Sequence, residues 1–187
     1  MRDKHQLWPC AFVDGVFSVP DEILRFLWRE MVRTGKDESL FYNGGVRDEG
    51  EWLSWMKCPD NYPVLAIDTD SKKIVCIAWL NHAVDGAALV HFCMLGFPRP
   101  EIGKTVLRYW SATGALSVLV GFTPETFTAA IKYAKAIGFV ESGHIPAMCN
   151  MVYEGRRVGA VVTTYLVKRE AAHGRRKESE ISSAVAV

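Results

Sequence analysis

The sequence predicts an α/β protein built on a mixed sheet. Three observations carry this. Three apolar runs, Pro63 to Asp68, Ile74 to Leu80 and Ala87 to Leu95, follow one another with only short turns between them, the pattern of an antiparallel meander. After them the chain alternates between helical and strand-like segments as far as Val167, as a layered α/β unit does. The length of 187 residues and the hydrophobic content of 49% suit one domain with a core of its own. That domain is expected over residues 1–170. Residues 171–187 mix charges with Ser and carry no sustained apolar period, so they are expected to be a disordered tail.

Each element has a local reason. Leu7 to Val19, rich in Phe and Val, predicts a strand closed by Pro20. Asp21 and Glu22 then suit the positive end of a helix, and Ile23, Phe26, Leu27 and Met31 recur near helical spacing up to Gly35. Asn43-Gly44-Gly45 predicts a loop, and Glu51 to Cys58 a short helix ended before Pro59. Asp68 to Ser71 and Asp85-Gly86 carry turn chemistry between the three meander strands. Those strands are apolar almost throughout, which predicts cover on both faces. Gly96 to Lys104 predicts a loop, Thr105 to Thr113 a helix, and Ser117 to Phe122 a strand. Thr123-Pro124-Glu125 reads as a helix start, with Gly138 as its stop. Phe139 to Ser142 and Val158 to Val167 predict the closing strands.

Charge and cysteine usage exclude several classes. Lys plus Arg is 22 and Asp plus Glu is 21, a net charge of +1, which argues against a broad basic face for nucleic acid or an anionic membrane. No apolar run reaches the about 18 residues of a spanning helix, and Met1 to Gln6 leads into no signal-like segment. The five cysteines, Cys10, Cys58, Cys76, Cys93 and Cys149, are odd in number and far apart. They read as reduced small hydrophobes in a cytoplasmic protein, with no zinc site.

The loop Gly96 to Gly103 delivers a helix N-terminus directly after a strand, where unpaired N–H groups and the helix dipole favour phosphate. Arg99 and Lys104 add charge, and Gly103 admits close backbone approach. The plain alternative is a strand-to-helix turn. Gly103-Lys104-Thr105 also looks like the end of a nucleotide-binding P-loop, but Pro98 stands where that loop needs its first Gly. His91 falls inside the third meander strand, on one face with Cys93. It is either a general base or a hydrogen-bonded core histidine. Trp52 and Trp55, at i, i+3 spacing, form either a buried helix stripe or, with Tyr42, an aromatic pocket wall.

Two segments carry a family resemblance. One is the strand–loop–helix from Leu89 to Trp110. The other runs from Val118 to Phe139 and closes on Ala134-Lys135-Ala136-Ile137-Gly138-Phe139. With the element order, they resemble the GCN5-related N-acetyltransferase (GNAT) superfamily, in a divergent, phage-associated branch. The resemblance implies a mixed, mostly antiparallel sheet of six to seven strands with about four helices on both faces. It implies acetyl-coenzyme A (acetyl-CoA) as co-substrate, no metal, and acetyl transfer by direct attack of a primary amine, on a small molecule or a peptide. It includes a homodimer among the expected assemblies. It places the coenzyme arm along Phe92, Cys93, Met94 and Leu95, and the pyrophosphate at Arg99, Ile102, Gly103, Lys104 and Thr105. Thr126, Phe127 and Ala130 fall on the helix beside the arm. His91 becomes the candidate base and Tyr133 the candidate acid. The chain departs from the family pattern in four places. The loop has one extra residue before Gly103. Lys104 replaces a small residue. Phe127 stands where an Asn is usual. Tyr133 precedes the usual Tyr position, here Ala134, by one residue. A non-catalytic binding or assembly module of the same fold is the alternative.

Overall fold

The structure is a computed structural model that describes residues 4–167. The expected tail lies outside the described residues. Strand β1 (His5–Pro9) is followed by a small hairpin, β2 (Phe12–Val13) and β3 (Val16–Phe17), then by helices α1 (Asp21–Arg33), α2 (Lys36–Leu40) and α3 (Glu49–Met56). The meander is β4 (Tyr62–Asp68), β5 (Ile74–Val84) and β6 (Ala87–Met94). Helix α4 (Pro100–Ala112), β7 (Val118–Pro124), α5 (Thr128–Ile137), β8 (Val140–Met151) and β9 (Arg156–Leu166) follow within the described residues.

Seven strands form one sheet in the order β1-β4-β5-β6-β7-β9-β8. All neighbours are antiparallel except β6 and β7. The central strands are covered on both sides, as their continuous apolar runs predict. Val64, Ala66, Cys76 and Ala78 pack toward α4 and α5 with Ile102, Val106 and Ile137. Leu65, Ile77, Trp79 and Cys93 pack toward α1–α3 with Leu24, Leu27, Trp52 and Met56.

Four expectations are corrected. Leu7 to Val19 is not one strand: Asp14 and Gly15 both adopt positive φ, 51° and 78°, and turn the chain into the β2–β3 hairpin. Helix α4 begins at Pro100, not Thr105. Pro100 sits in its first turn with Glu101 behind it, and a fixed φ without an N–H is an asset there. Helix α5 begins at Thr128 because β7 continues to Pro124, opposite Ala160; proline is tolerated at a strand end. The strand expected over Phe139 to Ser142 is a twelve-residue edge strand. Its polar, Gly and Pro content hid it, and its register shifts near Ser142 and Pro146 are devices that protect exposed edges.

Gly103 is the tightest point of the packing. A Cβ there would lie 2.6 Å from the Tyr133 hydroxyl and 2.8 Å from Ile137 Cγ2. Helix α5 therefore sits against α4 only because Gly103 has no side chain. Gly103→Ala is expected to cost about 1–3 kcal/mol through overpacking, read by urea denaturation. An unchanged midpoint would contradict this account of the contact.

Candidate active site

The site arises from how β6 and β7 part. They pair in parallel only at Ala87–Val118, Ala88–Leu119 and Leu89–Val120, yet β6 runs on to Met94 and β7 to Pro124. The Leu95 N–H donates to the Val75 carbonyl at 2.9 Å, and Val75 is opposite Leu95 in the β5–β6 register. Hydrogen-bonded and non-bonded pairs alternate along an antiparallel ladder. His91 and Cys93 therefore bond to β5, while the backbones of Phe92 and Met94 face the opening without a strand partner. The Met94 carbonyl is met by Lys36 Nζ at 2.5 Å.

Two clefts meet at this opening. The first, of about 150 Å³, lies between the parted strands and α5 and is lined by Phe92, Gly121, Thr123, Ala130, Tyr133 and Ala134 among others. The second, of about 340 Å³, lies on the α1–α3 side against Tyr42, Trp55, Trp79 and Asn81. Tyr42, Val90, His91 and Phe122 line both. A molecule lying along β6 in the first cleft thus meets one seated in the second.

Solved structures that resemble this architecture include three acetyltransferases. A spermidine N-acetyltransferase from Vibrio cholerae, in complex with CoA and spermine, aligns at TM-score 0.65 and 15% identity over 88% of this chain and 96% of its own. A ribosomal-protein-S5-alanine acetyltransferase from Vibrio fischeri aligns at TM-score 0.65 and 11% identity over 89% and 95%. A ribosomal L7/L12 alpha-N-protein acetyltransferase, RimL, in complex with CoA, aligns at TM-score 0.66 and 10% identity over 81% and 93%. The chain has the GNAT fold. No family model matches its sequence, and no curated protein matches it. The comparisons therefore show the likeness in fold, at 10–15% identity.

Within the GNAT frame the candidate residues divide. Phe92 and Met94 present backbone to the opening, whereas Cys93 is buried on the α1–α3 face. The Leu95 N–H is bonded to β5, as above. Ala130 and Phe127 line the first cleft, and Thr126 is exposed before α5. Phe127, in the place usual for Asn, packs edge-on against Tyr42 with ring centroids 6.1 Å apart. The pyrophosphate candidates are less united. Lys104 is exposed, but Ile102 and Gly103 are buried, with Ile102 in the core and Gly103 against α5. Thr105 Oγ1 donates to its own helix at Glu101. Arg99 faces the Asp68 carboxylate at 3.6 Å.

Tyr133 lines the first cleft, and its hydroxyl lies 3.4 Å from both Met94 Sδ and the Arg99 carbonyl. Burial pushes its pKa well above the usual phenol range, and the nearby Cys76 thiol adds to this. It therefore keeps its proton at neutral pH and holds it more tightly than a free phenol does.

His91 is stacked on Trp79, with centroids 5.1 Å apart and planes 13° apart, and its Nε2 lies 3.2 Å from Asn81 Oδ1. An amide oxygen only accepts, so that ring nitrogen donates. Burial, with a smaller contribution from His82, lowers the His91 pKa from 6.5 to about 4. Of the two readings, the geometry favours the hydrogen-bonded core histidine. A folded-state pKa below the unfolded one means that the unfolded chain takes up the proton first. Stability should therefore fall as pH drops from 6.5 toward about 4, then level off below that. His91→Gln, which keeps a partner for Asn81, should flatten that slope in denaturation series across this range. An unaltered slope would contradict the assignment.

Sequence reasoning missed Lys36 and Asn81. Lys36 sits in a five-residue helix with no buried residues, and Asn81 reads as one polar residue at the end of an apolar strand. Neither has a pattern that marks it.

Proposed function

We propose that the chain is an acyl-CoA-dependent N-acetyltransferase acting on a primary amine. The observation that carries this is the parted β6–β7 pair. It leaves the Phe92 backbone and the Met94 N–H without a strand partner beside a cleft that joins a second one, while the Met94 carbonyl is met by Lys36. An extended arm with amide groups fits such an edge by strand addition. Acetyl-CoA supplies an acyl group already activated as a thioester. The Phe92 N–H, aimed into the opening, is placed to donate to the thioester oxygen as negative charge develops there. The amine, seated in the second cleft, attacks the carbonyl carbon while the carbon–sulfur bond breaks. Tyr133 gives its hydroxyl proton to the departing thiolate. Water takes the proton that the amine loses, since His91 is too weak a base and its Nε2 is engaged. The start of α4, with Lys104, would hold the pyrophosphate. Lys36 adds positive charge beside Met94.

The reading is tested by thermal unfolding with and without acetyl-CoA. A ligand that binds only the folded chain at 100 times its dissociation constant adds about 2.7 kcal/mol. A clear rise in melting temperature is expected. No rise at millimolar acetyl-CoA would contradict the proposal. Stabilisation without thiol release from any amine would favour the non-catalytic module. Tyr133→Phe should lower turnover about 10²–10⁴-fold and leave acetyl-CoA affinity within a factor of a few, measured by thiol release and calorimetry.

A further inference from the structure

The second cleft has a composition that selects its occupant. Its exposed walls are aromatic: Tyr42, Trp55 and Phe122 line it, joined by the His91 ring, with the buried rings of Phe41 and Trp79 behind them. None of the described residues lining it is Asp or Glu. The neighbouring carboxylates are engaged or set apart. Glu51 is paired with Arg47 at 2.6 Å, and Glu49 with Arg25 and Arg29. Glu38 and Glu154 line a different small cavity beyond Tyr42 and Phe127, and Glu154 is paired with Arg156 at 2.6 Å. The polar groups on the cleft are neutral amides, Asn43 and Asn81, together with His82. The Trp79 indole N–H is buried with no hydrogen-bond partner.

A polyamine needs carboxylates along its length, because each additional ammonium group loses water on entry and must be repaid by an opposite charge or a hydrogen bond. Among the described residues this cleft offers no carboxylate, and the Asn43 and Asn81 side-chain oxygens are already engaged by the Gly45 N–H and the His91 ring. A flat apolar body is what such walls accept, by area burial and ring stacking. We infer that the amine acceptor is a monoamine carried on an aromatic body, and not a polyamine. This rests on the acetyltransferase reading and narrows it. The same group is presented by a free arylalkylamine and by an aromatic residue at a peptide N-terminus.

The test measures thiol release from acetyl-CoA by the whole protein with phenethylamine, phenylalaninamide and spermidine, alongside calorimetry of acetyl-CoA alone. The expected result is a kcat/KM for an aromatic amine at least about tenfold above that for spermidine. Phenethylamine ahead of phenylalaninamide indicates a free amine, and the reverse order a peptide N-terminus; either supports the class. Spermidine equal or preferred overturns the inference while leaving the transferase reading intact. Acetyl-CoA binding without thiol release from any of the three overturns both, and so does the absence of acetyl-CoA binding. A second variant reads the cleft directly. Asn43 Oδ1 accepts the Gly45 N–H at 3.0 Å, a bond that Asn43→Asp preserves. The new carboxylate should move the spermidine-to-phenethylamine ratio about tenfold toward spermidine. A folded Asn43→Asp protein with an unchanged ratio would overturn the assignment of this cleft to the acceptor.

Discussion

Ala130→Trp should remove acetyl-CoA binding without loosening the fold. Ala130 is an exposed residue of α5, and its side chain lines the first cleft. That cleft holds about 150 Å³, and a bulky indole projecting from its wall would take much of it. The path along β6 would be obstructed while the core clusters around α4 and α5 keep every member. An exposed substitution of this kind changes stability by about 0.5 kcal/mol or less. Affinity for acetyl-CoA should fall at least about 100-fold, or about 2.7 kcal/mol, in calorimetry, with a melting temperature close to that of the unaltered protein. Undiminished affinity would show that the coenzyme lies elsewhere.

Trp79→Ala should produce the largest loss of stability. Trp79 is fully buried on β5. It lies between the Phe41 and His91 rings, at 6.3 and 5.1 Å, and meets Trp52 and Trp55 edge-on at 6.1 and 5.3 Å. Truncating a buried Trp costs about 3–5 kcal/mol, from lost burial and the cavity left behind. That is a large share of the about 5–15 kcal/mol by which a domain is stable. Urea denaturation measures it. Trp79→Phe keeps a ring in the stack and should lose much less. A cost below about 1 kcal/mol for Trp79→Ala would contradict the view that this cluster holds α1–α3 to the sheet.

The fold was legible because its centre is written in long apolar runs. Strands β4, β5 and β6 are apolar on both faces, and no helical period fits Pro63 to Leu95. Gly138, with φ of 113°, ended α5 where the sequence placed the stop. The parts that were not legible are those that tertiary context decides. Thr123-Pro124-Glu125 has the local chemistry of a helix start, but Thr123 and Pro124 pair with Val161 and Ala160, so the ladder prevails over the cap. Strand β8 is exposed over most of its length and so carries no burial pattern to read. In the site, the pattern Arg99 to Lys104 suggested phosphate contacts, but it could not reveal that Gly103 serves the α4–α5 contact or that Arg99 faces Asp68. His91 was visible as a candidate, whereas its stacking on Trp79 depends on the register that sets the two side by side.

The central claim is that the coenzyme arm lies along β6 where it parts from β7. Amide hydrogen exchange at single-residue resolution, with and without CoA, tests it most directly. His91 and Cys93 are bonded to β5 and should be protected in both states. Phe92 and Met94 have N–H groups facing the opening, so they should exchange fast in the free protein and slow at least about tenfold when CoA is bound. Alternating protection along β6 in the free protein, made continuous when CoA binds, is the result this account predicts. Binding of CoA with no change at Phe92 and Met94 would contradict it.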